Sequence, residues 1–221
     1  MEHTEILNLW KSYDQKLEQA LSINKATAQD VLKLKTKSVL ASMKPIKLFT
    51  LLVGCVWVML GSVIITNLFM YAYDKVSHFF IYSAAIQLIL TAIAIAIYLY
   101  QLVVIQQVDV ADSVLKTQKR LSYLKSSTLW CARILFLQLP VWTTFYLSES
   151  TFLSGNIAYI TINGIITLIF TCISVWLFLN INYSNKDKKW FKVIFEGKEW
   201  NPIIESLGYY REIEDYTKEN K

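Results

Sequence analysis

The hydrophobic positions of the chain fall into four long blocks, with polar stretches between and around them. Leu48 to Tyr73, Phe79 to Val108 and Ile157 to Tyr183 carry no charged residue, and Ser126 to Leu147 carries one, Arg133. A helix needs about 20 apolar residues to cross a bilayer. The pattern therefore predicts an all-α membrane protein with four transmembrane helices, spanning 48–73, 79–108, 126–147 and 157–183. The connection from Asp74 to His78 is short enough to make the first two spans antiparallel neighbours. Gly54, Val58 and Gly61 share one face of the first span, and Ala85, Ala92 and Ala96 share one face of the second. Small residues let helices approach closely, so these two smooth faces are expected to meet.

The segments outside the blocks are also helical in pattern. In 1–47, Ile6, Trp10, Tyr13, Leu17 and Leu21 recur at helical spacing and form one apolar stripe, with Lys11, Asp14, Lys16 and Glu18 opposite. Thr4 is a candidate N-cap, and Glu5 suits the positive end of the helix dipole. A break is expected at Ser22–Asn24, then a second helix through Val31, Leu32, Val39, Leu40 and Met43. Lys33, Lys35, Lys37, Lys44 and Lys47 line its approach to the membrane, and Pro45 marks a helix start or kink.

Between the second and third blocks lies a polar hairpin. Thirty helical residues extend about 45 Å, beyond a hydrocarbon core of about 30 Å. The second helix is therefore expected to run past Val108 to about Lys116, outside the lipid, and the return helix to begin before Ser126. Val114, Leu115, Leu121 and Leu124 then need cover, for which the amino-terminal stripe is the nearest candidate. The tail, 184–221, opens with Lys186, Lys188, Lys189, Trp190, Phe191 and Lys192, which reads as an interfacial anchor. Asn201 and Pro202 open a last helical stripe of Ile203, Ile204, Leu207 and Tyr210, with Gly208 arguing against one unbroken helix.

Composition agrees with this class: 54% of residues are hydrophobic, 18% are charged and the mean hydropathy is +0.36. The net charge of +5 changes the picture only through its location. Lys and Arg number eight in the amino-terminal segment, four in the middle loop and eight in the tail, and the two short loops hold only Lys75. By the positive-inside rule both termini face the cytoplasm, so the basic excess orients the chain and no direct nucleic-acid contact is expected. The first apolar block lies behind a long charged segment, so the first span is expected to act as its own insertion signal. Cys55, Cys131 and Cys172 follow neither a disulfide nor a zinc spacing.

Candidate functional residues are few. Arg133 is the one charge inside a span, and intramembrane charge is functional by default. Yet it lies in the cytoplasmic third of the bilayer, where it can snorkel or take a structural partner as readily as serve a pathway or a regulatory contact. Pro140 is expected to kink the third span, with Gln138 either satisfying a freed carbonyl or bridging to another helix. Gln87 and Asn163 are further intramembrane polar residues, joined by Asn67 and Asn180, and no span holds an Asp or Glu. His3 and His78 lie at opposite membrane ends, and no nucleophile elbow, phosphate loop or metal-ligand spacing occurs. The expectation is a non-enzyme with no cofactor and no metal. The stripe of Trp10, Tyr13, Leu17 and Leu21 packs either on the chain's own hairpin or membrane surface, or in a partner's groove with Trp10 as anchor.

Three stretches, LNLWKSYDQKLEQALSIN, VLKTQKRLSYLKSST and RILFLQLPVWTTFY, resemble a family of small bacterial four-span membrane proteins associated with sigma-factor-like regulators. The resemblance runs from the first helix to the fourth span and implies a regulator in the bacterial inner membrane, anti-sigma-like in action. The His-x-x-x-Cys-x-x-Cys signature of zinc-type anti-sigma factors is absent, which leaves a zinc-free clamp of helices. Together these readings describe cytoplasmic amphipathic helices in 1–47, a four-span domain in 48–183 and a cytoplasmic tail in 184–221. The helical layer so formed docks a cytoplasmic protein partner, with membrane lipids and a homo-oligomer as further partners. The alternative is a small transporter or channel subunit.

The topology is testable with single-cysteine probes in a chain lacking its native cysteines. Probes at 2, 118 and 215 should be shielded from an impermeant reagent in intact cells, and probes at 76 and 152 should label. Labelling at 118 from outside contradicts the topology.

Overall fold

The computed structural model describes residues 2–218 except 110, 154, 155, 198 and 199, and the side chains of 10–213 except those positions and 25 and 151. The side chains of His3, Thr4, Glu5 and Ile6, named above, lie outside the described residues. All described regular structure is helical: α1 (Glu2–Ala41), α2 (Lys44–Tyr71), α3 (His78–Gln107), α4 (Val114–Phe136), α5 (Leu139–Thr144), α6 (Glu149–Leu153), α7 (Ile157–Asn180), α8 (Lys189–Phe195) and α9 (Asn201–Lys218).

Three stretches are long and apolar enough to cross a membrane: Trp10–Tyr71, His78–Gln107 and Ile157–Asn180. The first of them joins most of α1 to α2, and its apolar part is α2. The stretch expected as a third span, 126–147, is instead divided between α4 and α5.

α1 is one helix of 40 residues and passes Ser22–Asn24 without the expected break. Ser22 and Thr27 turn their hydroxyls back onto the carbonyls of Gln19 and Ile23, so neither draws the backbone out of helix. α2 follows after a turn at Ser42–Met43, with Pro45 in its first turn, where a missing N–H costs nothing.

α2 and α3 form the most extensive helix pair. The glycine face of α2 does meet α3, but not the alanines. Ala92 and Ala96 are exposed, and the glycines receive branched side chains instead. A Cβ on Gly61 would lie 2.6 Å from Leu88 Cδ2, and one on Gly54 would lie 3.1 Å from Ile95 Cδ1. Two notches on one helix take two knobs seven residues apart on the other, a tighter lock than two smooth faces.

α3 ends at Gln107, earlier than the expected run to Lys116. Val108 turns extended, and α4 begins at Val114 behind the N-cap Ser113, whose hydroxyl accepts from the Lys116 amide at 3.4 Å. The reversal is possible because Arg120 of α4 donates to the freed carbonyl of Gln107 while pairing with Asp112. Lys116 Nζ reaches the same carboxylate at 2.7 Å. The Lys116 hydrogen bond, helped by the Arg120 charge, holds the Asp112 carboxyl below the usual carboxylate range.

The kink expected at Pro140 is present. α4 stops at Phe136, and α5 starts at Leu139 with Pro140 in its first turn. Proline cannot donate to the carbonyl four residues back, that of Phe136. Ser174 of α7 supplies the missing donor at 3.0 Å.

Leu121 and Leu124 are fully buried as the hairpin required, but not beneath the amino-terminal stripe. Their cover is Leu40 of α1 and Met43 of the turn that follows it, with Ile203 and Tyr210 of α9. Leu115 stays 76% exposed. α9 runs unbroken through Gly208 along α1 and α4. Burial pushes the Tyr210 phenol above its ordinary pKa. A second cluster joins Leu129, Leu177 and Ile181 to Phe191, Phe195 and Trp200. The expected interfacial anchor thus turns Phe191 and Phe195 inward, stacked at 4.3 Å, and packs Trp190 on Trp176 at 4.9 Å. Its lysines 188, 189 and 192 stay exposed.

The proline–serine pairing makes a non-additive prediction. Ser174→Ala should lower stability by about 1–3 kcal/mol, the cost of a buried carbonyl without a donor. Adding Pro140→Ala should recover much of that loss by restoring the helical N–H. Thermal unfolding of the purified protein in detergent measures both, and additive losses would contradict the pairing.

Candidate functional site

The stripe that the sequence singles out lies on α1, beyond the part of that helix the rest of the chain holds. Leu32, Thr36, Leu40 and Met43 recur every three or four residues and are buried against α9, α3 and α4. Trp10, Tyr13, Leu17 and Leu21 are 69%, 67%, 69% and 60% exposed. The reading in which the stripe packs on the chain's own hairpin is therefore overturned: α9 and the second half of α1 already occupy that surface. A helix of 40 residues is roughly 60 Å long, and its first half has no cover among the described residues. Four large apolar side chains are left on one face of it.

The polar residues expected inside the spans are tied down rather than poised. Arg133 Nε donates to the carbonyl of Ile181, the C-cap of α7, at 2.6 Å, and its guanidinium lies over the Trp130 ring at 5.1 Å. Of the roles open to it, this is the structural partner. A cation belongs at a helix C-terminus, where the dipole is negative and the last carbonyls lack donors. Gln138 bridges to α3, its Nε2 donating to Thr91 Oγ1 at 3.1 Å. Gln87 is buried on α3 one turn before Thr91. Asn163 turns back on its own helix, Nδ2 to the Tyr159 carbonyl at 3.0 Å. It lines an open groove of about 470 Å³ with Gly164, Thr167 and Thr171, between α7 and the Leu147 and Phe152 side chains. These residues do not converge on one site.

A buried charge that sequence reasoning missed lies elsewhere. Lys47, taken there as one of a row of interfacial lysines, is fully buried in the first turn of α2. Its Nζ donates to Gln101 Oε1 at 2.5 Å and lies 4.3 Å from the centre of the Tyr98 ring. A cation over an aromatic face and against an amide oxygen recovers part of what desolvation costs. Gln101 Nε2 is buried with no acceptor, on the wall of a crevice of about 370 Å³ between α3, α4 and α8. The signal was legible in principle, because Lys47 continues the spacing of Leu40 and Met43 and so falls on the packed face.

At the opposite end of the bundle, the α2–α3 turn is tied to the segment after α5. His78 Nδ1 meets Glu149 Oε1, and Ser77 Oγ donates to the Leu147 carbonyl at 2.6 Å. The Tyr73 and Tyr82 hydroxyls pair at 2.9 Å. Among the described residues no three His, Cys, Asp or Glu side chains form a metal-sized cluster. No family model, curated protein or solved structure matches the chain.

The Lys47–Gln101 pair sets a second test. Lys47→Met should destabilise the protein by about 1–3 kcal/mol, because it strips the Gln101 oxygen of its donor. Lys47→Met with Gln101→Leu should regain most of the loss, since both polar partners are then gone. Unfolding midpoints of the three variants in detergent check this, and a silent Lys47→Met would contradict the pairing.

Proposed function

We propose that the protein is a non-enzymatic regulatory or scaffold protein of the bacterial inner membrane, which docks a cytoplasmic protein partner through the exposed stripe of α1. In this reading four segments cross the bilayer: α2, α3, the lower half of α4 continued by α5, and α7. Both termini are cytoplasmic. α1, α9, α8 and the upper half of α4 form a helical layer against the inner leaflet. The basic residues on either side of the apolar blocks support this orientation.

The observation that carries the function is the division of α1. Residues from Leu32 onward are clamped by α9 and the hairpin, while Trp10, Tyr13, Leu17 and Leu21 present an uncovered apolar face. Large exposed apolar patches mark interaction surfaces, and a helix with such a face fits the groove of another helical protein. The resemblance to small bacterial four-span proteins points the same way, toward zinc-free, anti-sigma-like control of a cytoplasmic factor. A transporter or channel subunit has less support, because Arg133, Gln138 and Asn163 each hold a fixed partner.

The test compares Trp10→Ala with Arg133→Gln at equal membrane levels. Truncating an interface anchor costs about 2 kcal/mol or more, roughly thirtyfold in affinity. Trp10→Ala should weaken capture of the cytoplasmic partner by that factor while the protein stays inserted, and Arg133→Gln should leave capture unchanged. The reverse result would refute docking and favour transport.

A further inference from the structure

The exposed face of α1 carries a pattern that names its occupant. Placed on a seven-residue repeat with Trp10 at position a, the a positions are Trp10, Leu17, Asn24 and Val31. The d positions are Tyr13, Ala20, Thr27 and Leu34, and the flanking e and g positions include Leu21 and Ile23. Every large exposed apolar side chain among the described residues of α1 occurs in this set. Lys11, Ser12, Gln15, Glu18, Gln19 and Ser22 fill the opposite face. That is the layout of a two-stranded coiled-coil strand.

The seam is distinct from the face that α1 packs on its own body. Leu32, Thr36, Leu40 and Met43 fall at b, c and f positions and are buried. At the same level Val31 and Leu34, at a and d, remain 44% and 56% exposed. The body grips one side of the helix and leaves the a and d positions from Trp10 to Leu34 open, while of the flanking lysines Lys35 lies 6.0 Å from the centre of the Tyr209 ring and Lys37 pairs with Asp109 at 3.5 Å.

We propose that the seam is filled by α1 of a second copy, parallel and in register. This rests on the reading of α1 as a cytoplasmic docking element, and the second copy and the cytoplasmic partner compete for the same face. Two copies in one bilayer share their orientation, so a two-fold axis along the membrane normal brings their α1 helices together parallel and level. In that arrangement Asn24 meets Asn24 of the second copy, and their amides satisfy each other at an otherwise apolar seam, a known device for fixing register and a two-stranded state. The charges agree. Asp30 at g faces Lys35 at e of the second copy, and the pairs Lys16–Leu21, Ile23–Ala28 and Lys37–Ser42 set no like charges together. Ala20 and Thr27 make the seam weak by itself. The shared membrane raises the effective concentration of the two strands and offsets that weakness.

The test uses the full chain in its membrane, with Cys55, Cys131 and Cys172 replaced by alanine and one cysteine introduced at a time. Under mild oxidation Ala20→Cys and Thr27→Cys should give disulfide-linked dimers, and Gln15→Cys and Ser22→Cys, on the outer face, should not. Asp30→Lys added to Thr27→Cys should abolish the dimer by opposing Lys35, and Lys35→Asp in the same chain should restore it. Equal cross-linking at all four positions, or no rescue by the charge swap, overturns the proposal. If Ala20→Cys and Thr27→Cys stay monomeric while Trp10-dependent capture of a cytoplasmic protein persists, the second copy is excluded and docking stands. If capture also fails, both readings fall.

Discussion

Every backbone carbonyl released at a helix end or beside a proline must find a donor, and in an apolar bundle water cannot supply one. The architecture depends on how α4 and α7 meet this demand. Arg133 takes the C-cap carbonyl of α7 and Ser174 takes the carbonyl that Pro140 orphans, and in the exposed hairpin Arg120 takes the last carbonyl of α3. Each bond closes a local deficit and also fixes one helix against another. α4 becomes the common neighbour of α3, α7 and α9. The two arginines lie thirteen residues apart on that helix, which spaces the ends of α3 and α7 along it. Read this way, Arg133 is not a charge stranded in lipid. It is the donor that allows α7 to stop where it does.

With α3 and α4 fixed as a hairpin, α9 has a surface on which to lie, and α1 is gripped between them. The grip covers only the part of α1 next to α2, because α9 is shorter than α1. A helix of 40 residues held at one end projects the other. Isolated helices of moderate length are marginal in water, so the projecting half gains stability from any surface that covers its apolar face. The same geometry thus makes α1 prominent and leaves it incomplete, and docking and self-association are two forms of that single consequence.

Much of the fold was legible because it follows from period and length. The uncharged blocks mark α2, α3 and α7 to within four residues at each end, and Pro140 announces the break between α4 and α5. The failures have a common cause in tertiary partners that local pattern does not encode. α3 stops early because Arg120, on the next helix, receives its last carbonyl and pairs with Asp112. Ser22 and Asn24 looked like a break, but Ser22 turns its hydroxyl back onto the Gln19 carbonyl and α1 stays continuous. Lys47 looked solvated among other lysines, yet its register set it against Gln101 and Tyr98. Ala92 and Ala96 looked like a contact face, but Gly54 and Gly61 make notches that Leu88 and Ile95 fill better. The stripe of Trp10, Tyr13, Leu17 and Leu21 was read correctly as one apolar face. Only its exposure among the described residues needed the fold.

The central claim is that this stripe has no home within its own chain. Amide hydrogen exchange measures it directly, on the protein in lipid nanodiscs that hold a single copy. Residues 32–41 should exchange slowly, as a helix packed along one face does, and residues 10–24 should exchange orders of magnitude faster, close to the rate of an unsupported helix. Equal protection of the two segments in single-copy discs would mean that the stripe is packed on its own body, and would contradict the account.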